Sequence, residues 1–84
     1  MSLAIRIRLG DAIEAANKAT DGKVSKYAIA REAKVRPNLI YDLCDGKTKR
    51  VDLDTLSTII KTLNMLSGHK HTIADILEYE DDTN

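Results

Sequence analysis

Phenylalanine and tryptophan are absent from this 84-residue chain, and three tyrosines are its only aromatic residues. Any core must therefore be assembled from Ile, Leu, Val and Ala. There is a single cysteine, Cys44, which excludes an internal disulfide and fits a reducing compartment. No apolar run approaches the roughly 20 residues that span a bilayer. Arg6 and Arg8 interrupt the only stretch that could pass for a signal peptide. The expectation is a cytoplasmic protein with no membrane contact.

What is present points to one small folded unit. Apolar residues make up 43% and charged residues 31%, ordinary values for a soluble domain. A chain of this length holds one domain, residues 1–84, and has no room for a second, ligand-sensing module. It also buries a limited share of its surface, so its stability margin is thin. The formal net charge is zero, which at first counts against a polyanionic partner, but the distribution is lopsided. Residues 1–50 hold 11 Lys and Arg against 6 Asp and Glu, and residues 51–84 hold 2 against 7. A basic first part and an acidic second part are a statement about partners even when the sum vanishes.

Most of the information lies between Ser25 and Arg50. Ser25 can cap a helix by accepting from a free backbone N–H two or three residues on. Ile29, Ala30 and Ala33 then recur at helical spacing and make one apolar face. Lys34 and Val35 turn the chain. Pro37 suits a first helical position, where its missing N–H is no loss and φ is already set. Ile40 and Leu43 give the second helix a buried side, and Gly46 ends it in a left-handed conformation. Pro37, Asn38, Tyr41 and Asp42 fall on the opposite side. Lys47-Thr48-Lys49-Arg50 follows as a cationic, turn-like loop. Two short helices, a tight corner and a basic loop suggest a helix presented to a surface beside a grip for anions.

On Ser25, Ile29, Ala30, Val35, Ile40, Leu43, Gly46, the run Leu53-Asp54-Thr55-Leu56 and the closing Asp75-Ile76-Leu77, the stretch from Ser25 to Leu77 resembles the lambda-repressor-like, Cro-type (Xre) helix-turn-helix family of bacterial and phage regulators. The resemblance implies an all-α, compact five-helix bundle. Its helix-turn-helix core would lie at 25–46, and its third helix would lie in the DNA major groove. The DNA-binding residues it implies are Lys26, Arg36, Pro37, Asn38, Tyr41, Asp42, Lys47, Lys49 and Arg50. Asn38 can pair bidentately with adenine, Asp42 can accept from cytosine N4, and Pro37 can touch a thymine methyl. Lys26 stands where the family usually has a phosphate-clamping Gln. Lys47, Lys49 and Arg50 would hold the backbone without reading sequence. Two positions depart from the family. Lys34 stands where it usually has Gly, at a corner with positive φ, and Arg36 stands where it has a Ser or Thr cap.

Around that centre the chain divides as follows. Ile5, Ile7 and Leu9 alternate with Arg6 and Arg8, the period of a short strand, whose natural partner is Leu77 to Glu80. A lone two-stranded ribbon is marginal, so it must pack on the bundle or across a dimer. Leu9, Ala12, Ile13, Ala16 and Ala19 share a helical face, in a helix from Leu9, or from as early as Ile5, to Ala19. Thr20-Asp21-Gly22-Lys23 is a turn. Asp52 or Asp54 can cap a fourth helix with a buried stripe of Leu53, Leu56, Ile59, Ile60 and Leu63. Asn64 is placed to end it left-handed, and Leu66–His71 then reads as an insertion. Thr72 and Asp75 form a capping box for a last helix, and 78–84 reads as a fraying acidic tail.

Other chemistries find too little. His69, His71 and Cys44 are too few and too scattered for structural zinc. Cys44 has no activating partner in the sequence, and no nucleotide loop or nucleophile elbow is present. The expectation is no enzyme, no cofactor and no metal. The resemblance implies a Cro-like transcriptional repressor, a homodimer on a palindromic operator with half-sites roughly 34 Å apart. Ile76, Leu77, Tyr79 and the N-terminal strand are the candidate dimer surface. Two rivals share the fold. One is the antitoxin of a toxin–antitoxin pair, with Leu66–His71 or the C-terminal tail meeting the partner protein. The other is a protein-interaction module that no longer binds DNA.

Overall fold

The computed structural model describes residues 3–47 and 50–81. Its elements run β1 (Leu3–Ile7), α1 (Leu9–Ala19), α2 (Lys26–Ala33), α3 (Pro37–Cys44), α4 (Leu53–Ser67), α5 (Ile73–Ile76) and β2 (Leu77–Asp81). Twelve residues form one core: Leu9, Ile13 and Ala16 from α1, Val24, Ile29 and Ala30, Ile40 and Leu43, Leu56, Ile59 and Leu63, and Ile76. None is aromatic, so the helices are held by interleaved aliphatic chains. The expected five-helix architecture is found.

Local chemistry sets most of the helix ends. The Ser25 hydroxyl accepts from the Ala28 amide at 3.0 Å. The Asp52 carboxylate accepts from Thr55 N at 2.7 Å and Thr55 Oγ1 at 3.0 Å, bonds that hold its pKa below the ordinary carboxylate value. The choice between Asp52 and Asp54 thus falls on Asp52. Thr72 N donates to Asp75 Oδ2 at 2.9 Å, and the expected capping box is present. Helix α1 starts at Leu9 and not at Ile5, because Ile5 is in a strand. Ala19, its last residue, is exposed and not part of the buried face.

Strand β1 pairs antiparallel with β2, Ile5 opposite Tyr79 and Ile7 opposite Leu77. The expected acidic tail is therefore structured as far as Asp81; the residues from Asp82 on lie outside the described ones. Ile7 and Leu77 pack on the core, while Arg8 on the ribbon's flank bonds Glu78 at 2.6 Å and Asp11 at 2.9 Å. These two carboxylates raise the Arg8 pKa.

Three further expectations are overturned. Asn64 does not end α4; the helix runs three residues further to Ser67, and Gly68 supplies the left-handed cap with φ 74°. Leu66 and Ser67 gain burial by this extension. The Asn64 side chain instead ties the next segment down: its Oδ1 accepts from His71 N at 2.6 Å and lies 2.8 Å from His71 Nδ1. Since that oxygen has only lone pairs to offer, Nδ1 carries the proton. The stretch read as an insertion is built as the last helical turn and a short clamped loop. Leu53 is 79% exposed rather than buried. It sits at the first position of α4, and α5, only four residues long, does not close over it. Ile76 is fully buried in the core and is not part of any dimer surface.

The corner between α2 and α3 keeps the family geometry without the family glycine. Lys34 adopts φ 61°, ψ 40°, and Val35 N closes the turn by donating to Ala30 O at 3.0 Å. A side chain in the left-handed region costs roughly 1–2 kcal/mol, part of which a glycine returns through greater unfolded-state freedom. Lys34→Gly is expected to stabilise the fold by about 1 kcal/mol. The check is a higher urea midpoint with an unchanged slope; a lower midpoint contradicts strain at Lys34.

Candidate nucleic-acid interface

Helix α3 is held from behind by Ile40 and Leu43, both buried against the bundle. With these two pinned, the helical period turns Pro37, Asn38, Tyr41 and Asp42 outward, and all four are exposed. Pro37 occupies the first turn, and Arg36 before it is extended and makes no side-chain cap. The arginine is exposed, and its guanidinium, a donor only, has no means of capping the helix N–H groups. At the far end Gly46 has φ 73°, and Lys47 N donates to Asp42 O at 3.0 Å. That bond folds the chain sharply away from the helix and starts the basic loop. Lys47 and Arg50 are exposed; Lys49 lies outside the described residues.

Helix α2 contributes through its first residue. Lys26 Nζ stands 5.4 Å from the centroid of the Tyr41 ring, within cation–π range. The contact joins the start of α2 to the outer face of α3 and orients the tyrosine. Sequence spacing did not indicate it, because the two residues sit on different helices and only the corner between them sets the distance. Tyr27, likewise exposed, carries Arg31 at 5.9 Å from its ring. Neither Tyr27 nor Arg31 belongs to the site expected from sequence, and no local signal distinguishes them from other surface residues.

The structure thus places Arg36, Pro37, Asn38, Tyr41, Asp42 and Lys47 on α3 and at its two ends, with Lys26 of α2 over the Tyr41 ring. Arg50 stands at the far side of the loop, ahead of α4. Burial pushes the Cys44 thiol above its ordinary pKa, the wrong direction for a nucleophile. Among the described residues, no three His, Cys, Asp or Glu converge as metal ligands. Nor is any described helix long and apolar enough to cross a membrane.

Two short helices meeting at a left-handed corner, the second exposed along one side and flanked by cations, define a helix-turn-helix DNA-binding domain. Residues 17–82 match the model of the Cro/C1-type HTH DNA-binding domain, and the chain belongs to that family. No curated protein and no solved structure gives a significant match. The family supports DNA as the partner and transcription regulation as the setting.

Proposed function

We propose that this protein is a Cro-like repressor that reads a palindromic operator as a homodimer, with α3 of each copy in a major groove. One observation carries the reading. The side of α3 opposite Ile40 and Leu43 is uncovered by the other described residues, and it bears Asn38 in its first turn. N-terminal residues of a recognition helix are the ones that meet base edges, and an Asn amide can pair with N6 and N7 of adenine. Lys26, Arg36, Lys47, Lys49 and Arg50 supply the phosphate contacts that set register. Pro37 and Tyr41 offer apolar surface to thymine methyls, and Asp42 offers an acceptor to cytosine N4. Occlusion of a promoter by the bound domain is the regulatory mechanism that this docking supplies.

The test is selection of bound sequences from a random duplex pool, with wild type and Asn38→Ala side by side. Wild type should enrich a two-fold symmetric site containing adenine at a fixed place in each half. Asn38→Ala should bind that site roughly 5–150-fold more weakly, the equivalent of 1–3 kcal/mol, and lose preference at that place alone. An unenriched wild-type pool defeats the proposal.

A further inference from the structure

The two-stranded ribbon is built as if a strand were missing beside it. Its apolar face continues past the bundle: the inner pair Ile7 and Leu77 reaches the core, but the outer pair Ile5 and Tyr79 stays 66% and 60% exposed. Among the described residues the sheet consists of β1 and β2, so each strand keeps one edge without a described strand neighbour. Beside β1 lies an open cleft of about 380 Å³, lined by Ile5, Arg6, Ile7 and Arg8, with Cys44 to Gly46 as its far wall. Residues from both faces of β1 line it and none from β2 does, so the opening runs along the strand's edge. A two-stranded sheet is marginal by itself, and an open edge is a template for another strand.

Resting on the homodimer reading above, the geometry points to a second copy of this chain as the occupant, its β1 antiparallel to β1 about a two-fold axis at Ile5. The strand's own sequence selects that register. Ile5 is the middle residue of Leu3–Ile7, so an axis there pairs all five residues: Leu3 with Ile7, Ala4 with Arg6, and Ile5 with its mate. An axis at Arg6 shortens the overlap to three strand residues and sets two guanidiniums face to face; an axis at Ala4 gives the same short overlap. Joining β2 to β2 about Tyr79 sets Glu78 against Glu80 twice, and like charges directly opposite disfavour a sheet. Joining β1 to the β2 of another copy satisfies the charges but is head-to-tail and leaves an edge at each end, which propagates. Only the Ile5-centred pair closes, is full length and opposes no like charges. It forms a four-stranded sheet, β2-β1-β1-β2, in which Tyr79, Ile5, Ile5 and Tyr79 make one continuous apolar row.

Two measurements decide it. Sedimentation equilibrium should show a dimer for the full chain and a monomer for Ile5→Lys, with the variant's circular dichroism unchanged because Ile5 lies outside the core. In a Cys44→Ala background, Ile5→Cys should oxidise to a covalent dimer. Opposed residues of an antiparallel pair have Cα atoms about 4.5–5.5 Å apart, within disulfide reach. Tyr79→Cys in the same background should stay monomeric, since three strand spacings put the two sulfurs' backbones about 14 Å apart. A wild type that is monomeric both free and on DNA overturns the dimer reading and this interface together. A dimeric wild type in which Ile5→Cys fails to cross-link, or Tyr79→Cys cross-links instead, overturns the β1 edge alone. Open-ended oligomers overturn it in favour of head-to-tail pairing.

Discussion

Replacing Lys47, Lys49 and Arg50 together by alanine should make duplex binding much less sensitive to salt. Each lysine or arginine that neutralises a phosphate releases counterions, so the slope of log K against log salt carries about 0.9 per contact on B-DNA. Three lost contacts make the slope shallower by about 2.7. Between 50 and 200 mM salt the wild type should therefore lose roughly 40-fold more affinity than the variant. The loss should be uniform across sequences, because phosphate contacts position the protein and do not read bases. Lys47 and Arg50 are exposed, so their removal takes away charge and not packing, and the melting curve should hardly move. An unchanged slope means the loop does not lie on the backbone, and the proposed docking of α3 fails with it.

The second large effect is expected at Ala30→Leu. Ala30 is 1% exposed on the face of α2 that packs against α3 and α4, and its carbonyl also closes the corner by accepting from Val35. Extra methylenes in a packed core cost typically 1–3 kcal/mol, a large fraction of the roughly 5–10 kcal/mol available to a domain of this size. The same wedge pushes α2 from its neighbours and separates Lys26 from Tyr41. DNA affinity should therefore fall further than the unfolded fraction explains, even where circular dichroism shows a folded chain. Ala30→Gly is the contrasting substitution. It costs about 1 kcal/mol through helix propensity but forces no helix apart, so its folded fraction should bind normally. If Ala30→Leu melts and binds like the wild type, α2 does not pass its neighbours as closely as its burial indicates.

What could be read from the chain alone were the features whose partners lie a few residues away. The cap at Ser25, a cap at Asp52 or Asp54 (which the structure gives to Asp52), the Thr72–Asp75 pair, Pro37 at a helix start and Gly46 past a helix end each depend on backbone within about one turn. Each is found where the residue type places it. Alternation at Ile5 and Ile7 likewise announced a strand, and the choice of its partner rested on there being another short apolar segment near the other end. Periodicity at Ile40 and Leu43 settled which side of α3 faces outward, and with it most of the candidate site.

Tertiary structure decided the rest, because burial is a property of what lies across from a residue and not of the residue. Leu53 carries the same apolar pattern as Leu56, yet no described residue closes over it. Asn64 looked like a terminus because Asn tolerates positive φ, but Gly68 tolerates it better and burial of Ser67 rewards the longer helix. Ile76 looked available for a partner until the bundle enclosed it. Lys34 shows the limit from the other direction: the packing of α2 against α3 demands a left-handed corner, and it holds a lysine there against the lysine's own preference.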